Sequence, residues 1–117
     1  LKQGGIQMTY SEQAQTGKKE YAALKEASPE VMGAFGDLHK ANVKDGALTV
    51  KEKELIALGI AIATRCEGCI LSHMNRLIKE GVSRDEVIET INTAVMMSGG
   101  PGTVYGGKAL AYFDERQ

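Results

Sequence analysis

Residues 49–65 read TVKEKELIALGIAIATR, and from Leu55 to Thr64 no position carries a charge. Thr49 and Glu52 have the spacing of a capping box, in which the hydroxyl and the carboxylate each satisfy a free N–H of a helix start. A helix that is apolar on every side after Glu54 predicts burial at the centre of the fold. The stretch is far short of the roughly 18 to 20 apolar residues a membrane span requires, and no other run reaches that length.

The segments around it carry helical signals, with no period-two strand pattern. Ser11 is read as the cap of a helix over residues 11–27, with Tyr21, Leu24 and Ala27 at helical spacing. Ser28 and Pro29 open the next helix, since proline loses nothing at the first helical position. Val31, Met32, Phe35 and Leu38 form its apolar stripe. A further helix starts near Glu67 or Gly68 and runs to about Glu80, and Gly81 is placed to end it in the left-handed conformation. Ser83 and Glu86 make a second capping box. The run GGPG at 99–102 breaks the chain before a last helix. Met32, Met74, Met96 and Met97 read as core filler. The expectation is an all-α fold of about six helices, with residues 1–10 as a flexible leader, Met8 as the native start, and residues 11–117 as a single domain.

A formal net charge of -1 gives no basic field for nucleic acid, and the absence of Trp speaks against a base-stacking platform. The first eight residues lack the apolar core of a secretory signal. The expected compartment is the cytoplasm, where a structural disulfide is uncommon and a CxxC pair is catalytic or metal-binding instead.

The chain's two cysteines stand in RCEGCILSH, residues 65–73. On a helix, Cys66, Cys69 and His73 fall within an arc of roughly 60°. Ile70, Leu71, Met74, Leu77 and Ile78 cover the neighbouring arc and point to the core. The cysteines therefore sit at the edge of the buried face and close to a helix start, where free N–H groups favour a thiolate. His73 is one turn after Cys69, within reach to exchange a proton with it. A three-residue offset suits a Cys66–Cys69 disulfide, the first sulfur reacting and the second resolving. Three other readings stay open on spacing. Zinc wants four ligands, and the chain offers Cys66, Cys69, His73 and the distant His39, without a second CxxC or HxxxH. A c-type haem needs histidine directly after the second cysteine, where Ile70 stands. Two inert buried thiols are the third. Glu54 is the last charge before the apolar run. It is either a carboxylate on a buried stripe that needs a partner, or an ordinary first-turn residue between two lysines.

The pattern Glu54, eleven residues, Cys66-x-x-Cys69-x-x-x-His73 resembles the active site of the AhpD-like proteins of the carboxymuconolactone decarboxylase superfamily. The resemblance runs from Leu48 to Phe113 and includes ELIALGIAIAT and GVSRDEVIETI. It implies an AhpD-like helical fold, assembly into a homo-oligomer (dimer, trimer or hexamer), and a thiol-disulfide oxidoreductase with alkylhydroperoxidase activity and no cofactor. Its substrate would be a hydroperoxide or a disulfide, and its partner a peroxiredoxin or another thiol protein. Carried over, Cys69 attacks peroxide, Cys66 resolves, His73 takes the proton of Cys69, and Glu54 orients His73. The family's histidine directly before the second cysteine is replaced by Gly68. The alternatives are a carboxymuconolactone decarboxylase-type lyase and a non-catalytic zinc-binding module. The stretch AVMMSGGPGTVYGG is read as a subunit contact or an intrachain helix contact. Along one straight helix Glu54 lies about 18 Å from Cys66, so it joins the site only if the next helix folds back.

Overall fold

The computed structural model describes residues 8–117, and none of these is in a strand. Six helices follow in order: α1 (Tyr10–Ala27), α2 (Pro29–Asn42), α3 (Val50–Ala63), α4 (Glu67–Lys79), α5 (Arg84–Ser98) and α6 (Gly100–Glu115). The all-α expectation holds. Of the leader read over residues 1–10, residues 1–7 lie outside the described residues, and Thr9 and Tyr10 belong to the start of α1. Thr9, not Ser11, caps that helix: its hydroxyl accepts from the Glu12 N–H at 3.0 Å while its own N–H donates to Glu12 at 2.8 Å. The capping boxes at Thr49–Glu52 and Ser83–Glu86 form as their spacing predicts.

Helix α3 lies at the centre, packed against α4, α5 and α6. Its Leu58 and Ile62 meet Ile70, Met74 and Leu77 of α4, Val87 of α5 and Tyr112 of α6 in one core. Yet α3 is not buried all round. Ile56 and Ile60 are more than half exposed, at 51% and 58%. The all-round apolar sequence marks a helix with one face in the core and one face left open. The methionines depart in the same way: Met74 is fully buried, while Met96 and Met97 are about three-quarters exposed, at 74% and 77%.

The break at 99–102 is sharper than its sequence suggests. Gly99 alone, at φ +71°, separates α5 from α6, and Pro101 lies inside the first turn of α6. The two helices then pack closely through small residues. A Cβ on Gly106 would come within 2.6 Å of Ile91 Cγ2. The Gly-rich stretch is therefore an intrachain helix contact on this side, while Met96, Met97 and Val104 face outward.

Helix α2 is the exception to compact packing. Its backbone comes close to α1 alone, and Val31, Phe35 and Leu38 of its apolar stripe are each about 60% exposed, at 61%, 59% and 65%. Its last turn is held from α3, where Lys53 Nζ donates to the carbonyls of Asn42 and Lys44, both at 2.9 Å.

The turn between α3 and α4 decides where the cysteines go. Cys66 N donates to Ala61 O at 3.0 Å and Arg65 N to Ile62 O at 3.1 Å. This is the paired hydrogen bonding of a Schellman motif, whose αL position normally holds glycine. Here that position is Arg65, at φ 58°. The same pair recurs after α4, from Val82 N to Leu77 O and Gly81 N to Ile78 O, with Gly81 at φ 74° as its sequence position predicts. Without a Cβ glycine enters this region freely, while other L-residues give up roughly 1–2 kcal/mol there. Gly81→Ala is therefore expected to lower unfolding stability by about 1 kcal/mol, and Arg65→Gly to leave it unchanged or raise it by up to about 1 kcal/mol. Urea denaturation midpoints measure both; a clear loss in Arg65→Gly would contradict the assignment of backbone strain to that turn.

Candidate active site

Because the Schellman turn reverses the chain within three residues, α4 folds back across α3 and brings His73 onto Glu54. His73 Nδ1 lies 2.6 Å from Glu54 Oε1. Glu54 is 1% exposed, so it is neither a solvated first-turn residue nor an isolated buried charge. An ionised carboxylate only accepts, which assigns the shared proton to Nδ1 and leaves His73 Nε2 as the basic nitrogen. Arg76, one turn further along α4, brings a guanidinium nitrogen within 3.3 Å of His73 Nδ1.

Cys66 occupies the N-cap of α4, and Cys69 lies in its first turn. The two are joined as a disulfide with a Cα–Cα distance of 5.2 Å. Cys66 Sγ also accepts from the backbone N–H of Cys69 at 3.3 Å. The helix start thus addresses the sulfur of Cys66 most directly, while Cys69 shares its helical face with His73 one turn on. Cys69 is exposed and Cys66 half-buried. Among the described residues no hydrogen bond joins His73 to either sulfur, and no group of three or more His, Cys, Asp or Glu side chains is arranged to hold a metal ion. Ile70, Leu71, Met74 and Leu77 are buried, as the helical phase predicts, with Ile78 packed at the edge.

The residue that sequence reasoning left outside the site is His39. Read as distant, it reaches from α2 to put Nε2 3.7 Å from Glu54 Oε2. Its pKa is lowered from the ordinary histidine value, chiefly by burial and then by the positive charge of Arg76, with the Glu54 carboxylate opposing both. A cavity of about 330 Å³ opens beside it, with Phe35, Leu38, Val43 and Ala57 as apolar walls and Glu54, His39 and His73 among its polar lining. Neither cysteine lines it.

An all-helical domain that sets a CxxC at a helix start against a buried glutamate–histidine pair defines a class of small helical proteins with dithiol and acid–base groups. Residues 29–113, well over half of the chain, match the model of the carboxymuconolactone decarboxylase family, and the chain belongs to that family. A carboxymuconolactone decarboxylase family protein of Legionella pneumophila, solved in its apo form, superposes with a TM-score of 0.87 at 40% identity over 91% of this chain and 95% of that one. A Thermotoga maritima family member, suggested to act in the antioxidative response, superposes with a TM-score of 0.79 at 26% identity over 89% of each chain. An uncharacterised protein of Cupriavidus necator is 38% identical over 96 residues, 82% of this chain and 85% of its own length. An uncharacterised protein from the cox locus of Paracoccus denitrificans is 37% identical over 100 residues, 83% and 90% of the two chains.

The lowered pKa of His39 carries a stability consequence of definite sign. The unfolded chain, with histidine near 6.5, takes up the proton more readily than the folded one, so this residue costs stability as pH falls below about 6.5 and costs nothing above it. Denaturation midpoints at pH 7.5 and 5.5 are expected to differ less in His39→Gln than in the unaltered protein. An equal drop in both would exclude the contribution.

Proposed function

We propose that the protein is a thiol-disulfide oxidoreductase that reduces hydroperoxides through Cys66 and Cys69. The observation that carries this reading is the Cys66–Cys69 pair at the start of α4, one turn from a histidine whose other side is fixed by a buried carboxylate. In the reduced protein, His73 Nε2 takes the proton of Cys69. The Cys69 thiolate attacks the hydroperoxide, the O–O bond breaks, a sulfenic acid forms on Cys69, and the leaving alkoxide takes the proton back from His73 as an alcohol. The Cys66 thiol then attacks that sulfenic sulfur, water leaves, and the disulfide results. A dithiol donor restores both thiols by exchange and is itself oxidised, and the reduced pair can in turn pass its electrons to the disulfide of a partner such as a peroxiredoxin or another thiol protein. Glu54 acts by holding His73 in the tautomer with Nε2 free.

The N-cap bond to Cys66 Sγ favours anionic character on that sulfur instead, and this separates the roles experimentally. With one equivalent of cumene hydroperoxide, the reduced protein is expected to lose both thiols per chain. Cys66→Ser retains a sulfenic acid on Cys69 that dimedone traps, and Cys69→Ser reacts at least tenfold more slowly, as expected when the attacking group is lost. If Cys69→Ser reacts as fast as the unaltered protein, the assignment of the attacking sulfur is reversed; no thiol loss at all would remove the peroxidase reading.

A lyase of the kind the family is named for is favoured by one observation: the acid–base groups line a cavity the cysteines do not. A carboxylated lactone would also need a cation there, and Lys53, which lines the cavity, already donates to two backbone carbonyls. Turnover of such a lactone that survives Cys66→Ser would establish the lyase.

The exposed apolar faces of α2 and α3, through Phe35, Leu38, Ile56 and Ile60, support association with further copies of the chain. Light scattering after size-exclusion chromatography is expected to give a multiple of 12.5 kDa. The double change Phe35→Glu and Leu38→Glu should reduce it to one chain. A monomer in the unaltered protein would refute the association.

A further inference from the structure

Glu54 Oε2 and His39 Nε2 are both buried, and neither has a hydrogen-bond partner. They face each other at 3.7 Å, about 0.5 Å or more beyond a normal N–H···O bond. A buried carboxylate oxygen without a donor is unfavourable. The neighbouring cations do not reach it: Lys53 Nζ donates to the carbonyls of Asn42 and Lys44, and the ion pairs of Glu54 are with His73 and His39, not with Lys53 or Arg76. His39 is the group left to serve that oxygen. The His39 side chain as a whole is about a third exposed, so it bridges solvent and the buried carboxylate.

We propose that His39 is a positioning residue of the site, donating from Nε2 to the second oxygen of Glu54 so that the carboxylate is gripped by an imidazole on each side. The closure this needs is about 0.5 Å, and Lys53 already ties the last turn of α2 to α3. The groups that face His39 are Glu54 and Lys53 of α3 and His73 and Arg76 of α4. At neutral pH the ring is uncharged, its proton is on Nε2, and Nδ1 is turned to solvent. Held at both oxygens, Glu54 keeps a fixed orientation toward His73 Nδ1. His39 thereby acts on Cys69 through two intermediates and touches no reacting atom. It also supplies a second imidazole from another helix in a site where Gly68 occupies the position of the motif's own.

The proposal rests on the reading of His73 as the base for Cys69, and two measurements keep the two apart. In the unaltered protein, long-range ¹H–¹⁵N correlation at pH 7.5 reports which ring nitrogen of His39 is protonated. A proton on Nε2 supports the proposal, whether the ring is neutral or charged. A bare Nε2 overturns it. In a Cys66→Ser background, the rate of Cys69 alkylation by iodoacetamide is followed against pH. His39→Leu is expected to slow alkylation at pH 7 roughly threefold to tenfold by moving the midpoint upward by up to about one pH unit. His39→Gln, which keeps an N–H donor, should stay close to the parent. A His39→Leu profile that coincides with the parent, or Leu and Gln profiles that shift alike, overturns the proposal. His73→Gln is the control: if it too leaves the profile unchanged, the assignment of His73 as base fails instead. Should His39→Leu not fold, the tautomer measurement decides alone.

Discussion

The contact between Glu54 and His73 is the constraint around which the site is built. A carboxylate that is 1% exposed would be expelled from the core or neutralised without a donor, so the helix that carries it must meet another that carries one. Helix α4 does so only because the chain reverses between Ala61 and Cys66. That reversal has a local cost, since Arg65 stands where glycine would be free of strain. It also has a chemical result: the residue that ends the turn is Cys66, which becomes the cap of the next helix. One backbone motif thus delivers the histidine to the carboxylate and a sulfur to a helix start.

Local rules made much of this legible. Capping boxes depend on residues three apart, and both that were read at Thr49 and Ser83 form. The phase of α4 depends on helical geometry alone, and its buried face is the one its sequence assigns. The family spacing from Glu54 to His73 is met by a direct 2.6 Å contact. What local rules missed was non-local. Hydrophobicity around α3 does not say which face has a neighbour, and Ile56 and Ile60 are as apolar as the residues the core covers. Met96 and Met97 have the composition of filler but no cavity to fill. Arg65 carries no signal for a left-handed turn, because the hydrogen bonds that enforce it belong to the flanking helices. His39 lies fifteen residues before Glu54 on a helix with its own stripe, and no pattern of period 3.6 can place it beside a residue of the next helix.

The site therefore has two unlike halves. Glu54, His73, Cys66 and Cys69 come from α3, α4 and their connecting turn, which are packed against each other and against the core. His39 and the cavity walls Phe35 and Leu38 come from α2, whose backbone packs on α1, is tied to α3 through Lys53, and whose apolar stripe is largely uncovered. The first half fixes the distances among these four side chains. The α2 half borders the carboxylate that His73 contacts.

This division ties surface to chemistry. Phe35 and Leu38 flank His39 on the same helix, one turn before it and immediately before it. A force on α2's outer face is carried to His39 by a single rigid element, and from there to Glu54 across a 3.7 Å gap. A normal N–H···O bond is no longer than about 3.2 Å, so a displacement well under the diameter of a water molecule decides whether the proposed bond to the carboxylate forms. Burial of the same face also strengthens the contact electrostatically, by removing solvent from beside the ring. Under the role proposed for His39, burial of the outer face of α2 would act on the site through His39, without contact to Glu54, His73 or either cysteine.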